Sequence, residues 1–351
     1  MPPLGPRLGV HLPLGGGLLR AAERAGEIGA TAIQVFADNP TAWRRRASAP
    51  RKLPAFRARV AELGVETIAI HASYLVNLAG PERRFRRDSI AVLASELVAA
   101  RAFGATLVNV HTGSHRDTGV KAGIRRVADG IVEALERADA AEGPTEGGGG
   151  LGSGERPTLV LENASGGGWS IGSSIEELER VAEGAAARGV PEARLGFCLD
   201  TAHAWGAGYR MDAPESIDRL LDTVDRALGL ARLVMVHLND SRSEAGSRTD
   251  RHEHIGGGLI GARGLGHLLR HPAVRHATFI LETPGMDEGY DAVNLRRARA
   301  LLAGEALEPL PPEAFQLAPR RSRGAAPPED AALPDDGGGA EGAAPPDDAV
   351  A

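Results

Sequence analysis

Residues 236–258 read VHLNDSRSEAGSRTDRHEHIGGG, with three histidines, two aspartates and two glutamates between an apolar run and a glycine run. A solvated loop does not require that mixture, and a buried strand does not tolerate it unless cations or mutual pairing offset the charges. His237, Asp250 and His252 are therefore candidate metal ligands. The same signature recurs upstream and downstream. Apolar runs end in His71 (TIAI before it), His111 (VNV), Glu162 (LVL), Asp200 (FCL), His237 (VMV) and Glu282 (FIL), and His203 follows Asp200 by three residues. One such histidine is commonly a structural one, and one such acid commonly caps the next helix. Nine together call for a common cause. Five His, two Asp and two Glu with no Cys suit zinc or manganese. A catalytic zinc takes about three protein ligands plus water, so nine residues are too many for one ion and enough for three, the more so if one carboxylate bridges two. Clustered ions that clamp attacking and leaving oxygens are typical of phosphoester hydrolysis.

The elements that must position these residues are eight short apolar runs, at 8–13, 32–37, 66–72, 106–113, 158–165, 195–203, 233–240 and 278–284. Their near-continuous apolar character predicts parallel strands buried on both faces. Stretches such as RDSIAVLASELVAARAFG and IEELERVAEGAAARG between them have helical period and end in glycine. Eight strand–helix units in series predict an α/β fold, a (β/α)8 TIM barrel over residues 1–318. The ligands then lie at the carboxyl ends of the strands, on one face. A doubly wound sheet is the alternative. A Gly-rich insertion is expected at 142–157, and the Pro/Gly/Asp-rich stretch 319–351, with little to bury, is expected to be disordered.

Bulk composition excludes other classes. With 42% hydrophobic residues among 351 and few aromatics, the core must be built mainly of Leu, Val, Ile and Ala. A single cysteine, Cys198, rules out a disulfide framework and a cysteine-built zinc site, and its apolar setting predicts an inert thiol. No apolar run is long enough to span a bilayer and the start lacks signal-peptide features, so a cytoplasmic protein with no membrane partner is expected. The net charge of −6 is local in origin: residues 324–351 hold seven acids and no base, leaving about +1 elsewhere. Of the 40 basic residues all but Lys52 and Lys121 are arginine, which suits bidentate phosphate contacts.

The segments HASYLVNLAGP, VNVHTGSH, LVLENASGGG, CLDTAHAWGAGY, MVHLNDS, GSRTDRHEHIGGGLIG and LETPG, in this order, resemble the endonuclease IV family of apurinic/apyrimidinic (AP) endonucleases across residues 8–302. The resemblance implies a (β/α)8 barrel with three Zn2+ ions, Mn2+ being an alternative at one site. His71, His111 and Glu162 would hold the first ion. Glu162 would bridge to a second, held by Asp200, His237 and Glu282, and His203, Asp250 and His252 would hold the third. The implied catalytic carboxylates are Glu162 and Glu282. The implied reaction is cleavage of double-stranded DNA 5′ to an abasic site, giving a 3′-hydroxyl and a 5′-deoxyribose phosphate, together with removal of blocked 3′ ends. The resemblance also implies a monomer.

For DNA contact the resemblance points to Tyr74, near the lesion; Leu75 beside it is a candidate minor-groove wedge, with core packing the alternative. Arg251, next to Asp250, and Arg44 and Arg45 in the run WRRR are candidate phosphate contacts. One departure stands out. Thr41, behind Pro40, occupies the position where the family usually carries an arginine that inserts into the base stack. A sugar isomerase or epimerase on the same barrel would bind one or two ions, and would leave His203, Asp250 and His252 without a role.

Overall fold

The computed structural model describes residues 5–142 and 156–316. Strands β1 (Arg7–His11), β2 (Ala32–Val35), β3 (Thr67–His71), β4 (Leu107–His111), β5 (Thr158–Glu162), β6 (Leu195–Asp200) and β7 (Leu233–His237) coincide with the first seven apolar runs, β1 starting one residue early. Two two-residue strands follow, β8 (Asp240–Ser241) and β9 (His252–Glu253), and then β10 (Thr278–Leu281) in the eighth run. The barrel closes in the order β1-β10-β7-β6-β5-β4-β3-β2, and β1 pairs in parallel with both β2 and β10. Closure excludes the doubly wound alternative. The expected Gly-rich insertion and the expected disordered tail fall, apart from the insertion's flanks, outside the described residues.

The outer ring comprises α1 (Leu18–Ile28), α2 (Leu53–Glu62), α3 (Arg83–Phe103), α4 (Val120–Glu142), α5 (Ile175–Ala186), α7 (Pro214–Leu228), α8 (Gly261–Arg270) and α9 (Tyr290–Ala303), while the short α6 (Thr201–Ala207) packs on β6 and β8 at the mouth. In α3 the spacing of Ile90, Leu93, Leu97, Ala100 and Phe103 turns one stripe inward, and Gly104 ends the helix in the left-handed conformation, φ 72°. Burying each of the larger side chains is worth about 1.5–3 kcal/mol. Among the described residues no helix is long and apolar enough to cross a membrane.

The barrel interior explains the strand ends. Ala69, Leu107, Val160, Cys198 and Met235, from five consecutive strands, form one buried apolar cluster. Successive side chains of a strand alternate between its faces. Two positions on, the inward-facing residues are therefore His71, Asn109, Glu162, Asp200 and His237, and after one more step on β4, His111. Cys198 lies in the apolar layer beneath, where burial pushes its thiol up to about 12, so the thiol is inert as expected.

Candidate metal centre

Three groups of ligand-competent atoms meet at the carboxyl ends of the strands: His71, His111 and Glu162; Glu162, Asp200, His237 and Glu282; and Asp200, His203 and His252. Glu162 belongs to two of them. It is fully buried, with Oε2 3.5 Å from His111 Nε2 and 3.8 Å from His71 Nε2, and Oε1 3.3 Å from His237 Nδ1. Asp250 closes the third group. Its two carboxylate oxygens lie 3.2 Å from His203 Nε2 and 3.1 Å from His252 Nε2. Asp200, which the resemblance places only with the second ion, also faces His252 Nε2 at 3.6 Å.

Local structure brings His203, Asp250 and His252 to this face. Asp200 ends β6 and is also the N-cap of α6, its side chain accepting from the His203 backbone N–H at 2.7 Å, which fixes His203 in the first helical turn. The β8–β9 ladder pairs Asp240 with Glu253 and Ser241 with His252, folding the excursion 242–251 back over the mouth. Asp240 anchors that ladder by accepting from the backbone N–H groups of Ser241, Ile260 and Gly261. Gly258 is required beside it, since a Cβ there would stand 2.4 Å from the Ser241 carbonyl oxygen. The third histidine of the 236–258 stretch, His254, lies elsewhere: it contacts the Ala314 carbonyl and the Asn294 amide and is structural.

Hydrogen bonds fix the histidine tautomers. His71 Nδ1 faces the Ala72 carbonyl at 2.7 Å, His203 Nδ1 the Asn163 carbonyl at 3.0 Å and His252 Nδ1 the Glu282 carbonyl at 2.9 Å. A carbonyl can only accept, so each Nδ1 carries the proton, and in the neutral ring each Nε2 presents a lone pair to the carboxylates. His237 is reversed. Its Nε2–H donates to Gln34 Oε1 (3.1 Å), leaving Nδ1 toward Glu162 and Glu282.

The carboxylates are held as well. Gln34 Nε2 donates to Glu282 Oε1 (2.7 Å), Asn109 Nδ2 to Glu162 Oε2 (2.5 Å) and Asn239 Nδ2 to Asp200 Oδ2 (2.8 Å). Burial opposes ionisation of Glu162, but His111, His237 and His203 outweigh it and keep its pKa well below the usual carboxylate range. Burial likewise opposes charge on His252, but Asp200 and Asp250 raise it to about 9. Four carboxylates, Glu162, Asp200, Asp250 and Glu282, thus converge on the same imidazole nitrogens. The residues fit metal ions on one further observation: Glu162 Oε1, His237 Nδ1 and His252 Nε2 are buried with no hydrogen-bond partner. Buried polar atoms are almost always satisfied, and all three of these aim into the ligand groups. A fourth group, Asp218, His267 and His271, lies between α7 and α8. There His267 Nε2 bonds Asp218 and His271 Nδ1 accepts from Ala273 N–H, a satisfied helix–helix contact.

The sequence profile of the xylose isomerase-like TIM barrels matches residues 22–309. A probable endonuclease 4 from Methanoculleus marisnigri is 38% identical over 294 residues, 84% of this chain and 98% of that protein. Endonuclease 4 of Thermus thermophilus is 42% identical over 300 residues, 85% of this chain and 98% of that protein. The chain belongs to the endonuclease 4 family. The crystal structure of endonuclease IV from Thermus thermophilus superposes with a TM-score of 0.70 at 41% identity, covering 85% of this chain and all of that one. A D-tagatose 3-epimerase-like protein, 18% identical with a TM-score of 0.61, shares the fold.

Around the mouth of this endonuclease, Tyr74 is 62% exposed, its ring packed on Phe36 and His71, and Leu75 beside it is half-buried. Arg44 and Arg251 are exposed. Arg45 is turned inward, where Nη2 lies 3.2 Å from the buried Glu96 carboxylate and Nη1 donates to the Asn39 carbonyl. Thr41 faces its own loop, its N–H and hydroxyl both donating to Asn39 Oδ1. Sequence reasoning missed His11 and Gln34, at the ends of β1 and β2, which complete the ring of strand ends against Glu282. It also missed Asn109, Asn163 and Asn239. The available signal was a polar residue inside or just after each apolar run.

Proposed function

We propose that this protein cleaves double-stranded DNA on the 5′ side of abasic sites, leaving a 3′-hydroxyl and a 5′-deoxyribose phosphate, and removes blocked 3′ ends at the same centre. That it is a DNA-repair AP endonuclease comes with its family; the bond cut and the ends left are the finer reading. The observation that carries it is Glu162, shared by two ligand groups with a third beside them, an arrangement suited to a phosphodiester spanning several cations. The donor set, imidazole and carboxylate without thiolate, suits Zn2+, with Mn2+ an alternative at one position. His71, His111 and Glu162 would hold one ion, Glu162, Asp200, His237 and Glu282 a second, and His203, Asp250 and His252, with Asp200 beside them, a third.

When bound, such ions supply an activated water and positive charge around the phosphate. The chain's own residues do the rest. Glu162 and Glu282 remain ionised, because neighbouring histidines overcome the burial that opposes it. Gln34, Asn109 and Asn239 fix the carboxylate oxygens, and the backbone carbonyls of Ala72, Asn163 and Glu282 fix three imidazoles. Such outer partners set ligand orientation and basicity. Tyr74, Leu75, Arg44 and Arg251 would meet the DNA at the rim.

The test is the chemistry of the ends. A duplex with one abasic site should yield an upstream fragment that a polymerase extends at once. An upstream fragment ending in an unsaturated sugar remnant, the mark of β-elimination, would overturn the reading.

A further inference from the structure

Among the described residues, three that are not glycine have positive φ: Arg116 (44°), Asp117 (65°) and Arg248 (57°). Such backbone costs on the order of 1–3 kcal/mol per residue and persists where surrounding structure enforces it, often at functional surfaces. These three belong to one ridge. Arg116 and Asp117 lie in the loop after β4, and Arg248 in the excursion between β8 and β9. The glycine-rich loop after β5 joins them. Ser114 and Ser170 form an antiparallel bridge, and His115 N–H donates to the Trp169 carbonyl at 2.9 Å. The Arg248 carbonyl approaches Gly167 so closely that a Cβ there would be 2.8 Å away. Arg248 N–H in turn donates to the Gly206 carbonyl at 2.9 Å. The ridge borders the third ligand group, since Arg248 is two residues from Asp250.

The crest is Trp169, 51% exposed, and its ring contacts no other aromatic ring of the described residues. Arg116 and Arg248 are exposed, and within the described residues their guanidinium groups make no hydrogen bond or ion pair; the acids nearest them in sequence are Asp117 and Asp250. An exposed indole on a ridge whose neighbouring loops carry two exposed arginines fits a partner with flat apolar faces and regularly spaced negative charge. A nucleic-acid strand has both, since bases stack on aromatic side chains and arginine matches phosphate.

We propose that Arg116, Trp169 and Arg248 form a further grip on DNA, with Trp169 stacking on a base of the strand beside the metal centre and the arginines taking flanking phosphates. This rests on the reading of the site as a DNA endonuclease centre. The three-loop clamp fixes the backbone that carries Trp169 before DNA arrives, so little main-chain ordering entropy is lost on contact.

Tryptophan emission tests it. The chain has three tryptophans, and Trp205 is 3% exposed. In a Trp43→Phe parent the solvent-accessible emission therefore belongs to Trp169. The probe is a nicked duplex carrying the expected cleavage product, with a tetrahydrofuran residue at the 5′ side of the downstream fragment. Binding should quench and shift that emission and protect it from acrylamide. Trp169→Ala in this parent should weaken binding about 5- to 150-fold, corresponding to about 1–3 kcal/mol for one stacked base. Trp169→Phe should restore most of the affinity. Arg116→Gln and Arg248→Gln should each lower the slope of log affinity against log salt by about 1. A parent that binds DNA with unchanged Trp169 emission, and with affinity unaffected by Trp169→Ala, overturns the ridge alone. A parent that binds neither this probe nor intact abasic duplex overturns the endonuclease reading, and the ridge with it.

Discussion

Gln34→Met separates the metal centre from the barrel that carries it. Gln34 lies at 0% exposure on β2, with Nε2 donating to Glu282 at 2.7 Å and Oε1 accepting from His237 at 3.1 Å. It thus fixes one carboxylate oxygen and one imidazole tautomer of the second group without being a ligand itself. Methionine keeps the length and the apolar contacts and removes both of these hydrogen bonds, together with the Nε2 contact to His11 Nδ1 at 3.0 Å. Net contributions of hydrogen bonds to charged groups are about 1.5–3 kcal/mol, part of which is recovered as Glu282 and His237 reorient. Removing an outer partner of a metal ligand typically costs about 10- to 100-fold in affinity. That is about 1.4–2.7 kcal/mol, consistent with the bond count. The assay is zinc occupancy per chain across chelator-buffered free zinc. One ion should show its half-saturation about 10- to 100-fold higher, while the melting transition of the ion-free protein shifts little. A zinc titration superposable on the wild type would refute the role given to Gln34.

Glu162→Gln should leave the barrel folded, as seen by circular dichroism, and lower cleavage of abasic duplex by at least about a hundredfold, since the shared ligand loses its charge; near-normal turnover would remove Glu162 from the centre. Glu96 gives a pH signature. Burial pushes its carboxyl up to about 7 from an ordinary 4.5, with Arg45 and the Ser73 N–H partly offsetting this. The folded state therefore binds that proton more tightly than the unfolded chain. Its stabilising contribution is full below pH 4.5 and lost as pH rises through about 7, a change of at most about 3 kcal/mol. Relative to the wild type, Glu96→Gln should gain stability between about pH 5 and about pH 8 in denaturant titrations. A pH-independent difference would contradict it.

The fold was readable because parallel barrel strands are buried on both faces, so each appears as an apolar run, and because six of those runs stop at a ligand-competent side chain. The period of two then places His71, Glu162, Asp200 and His237 on the interior face directly above Ala69, Val160, Cys198 and Met235. Gln34 and His11 escaped for the converse reason. Within AIQVFA and LGVHLP each reads as an interruption of a strand, and only closure of β1 against both β2 and β10 brings them to Glu282. His203 was placed near Asp200 by spacing, but its return to the mouth depends on Asp200 acting as a helix cap. Asp250 and His252 depend on a two-residue ladder too short to leave a sequence signature. Arg45 shows the limit of charge runs. Of the three consecutive arginines at 44–46, one turns into a buried ion pair with Glu96, far along the chain in α3.

Cleavage of a duplex bearing one abasic site, by the full chain as purified, after exhaustive chelation and after zinc is restored, tests the central claim most directly. The expected result is a single nick 5′ to the site that disappears on chelation and returns with zinc, at about three ions per chain. A nick that survives complete removal of metal, or no nick from protein carrying its full complement of ions, would contradict it.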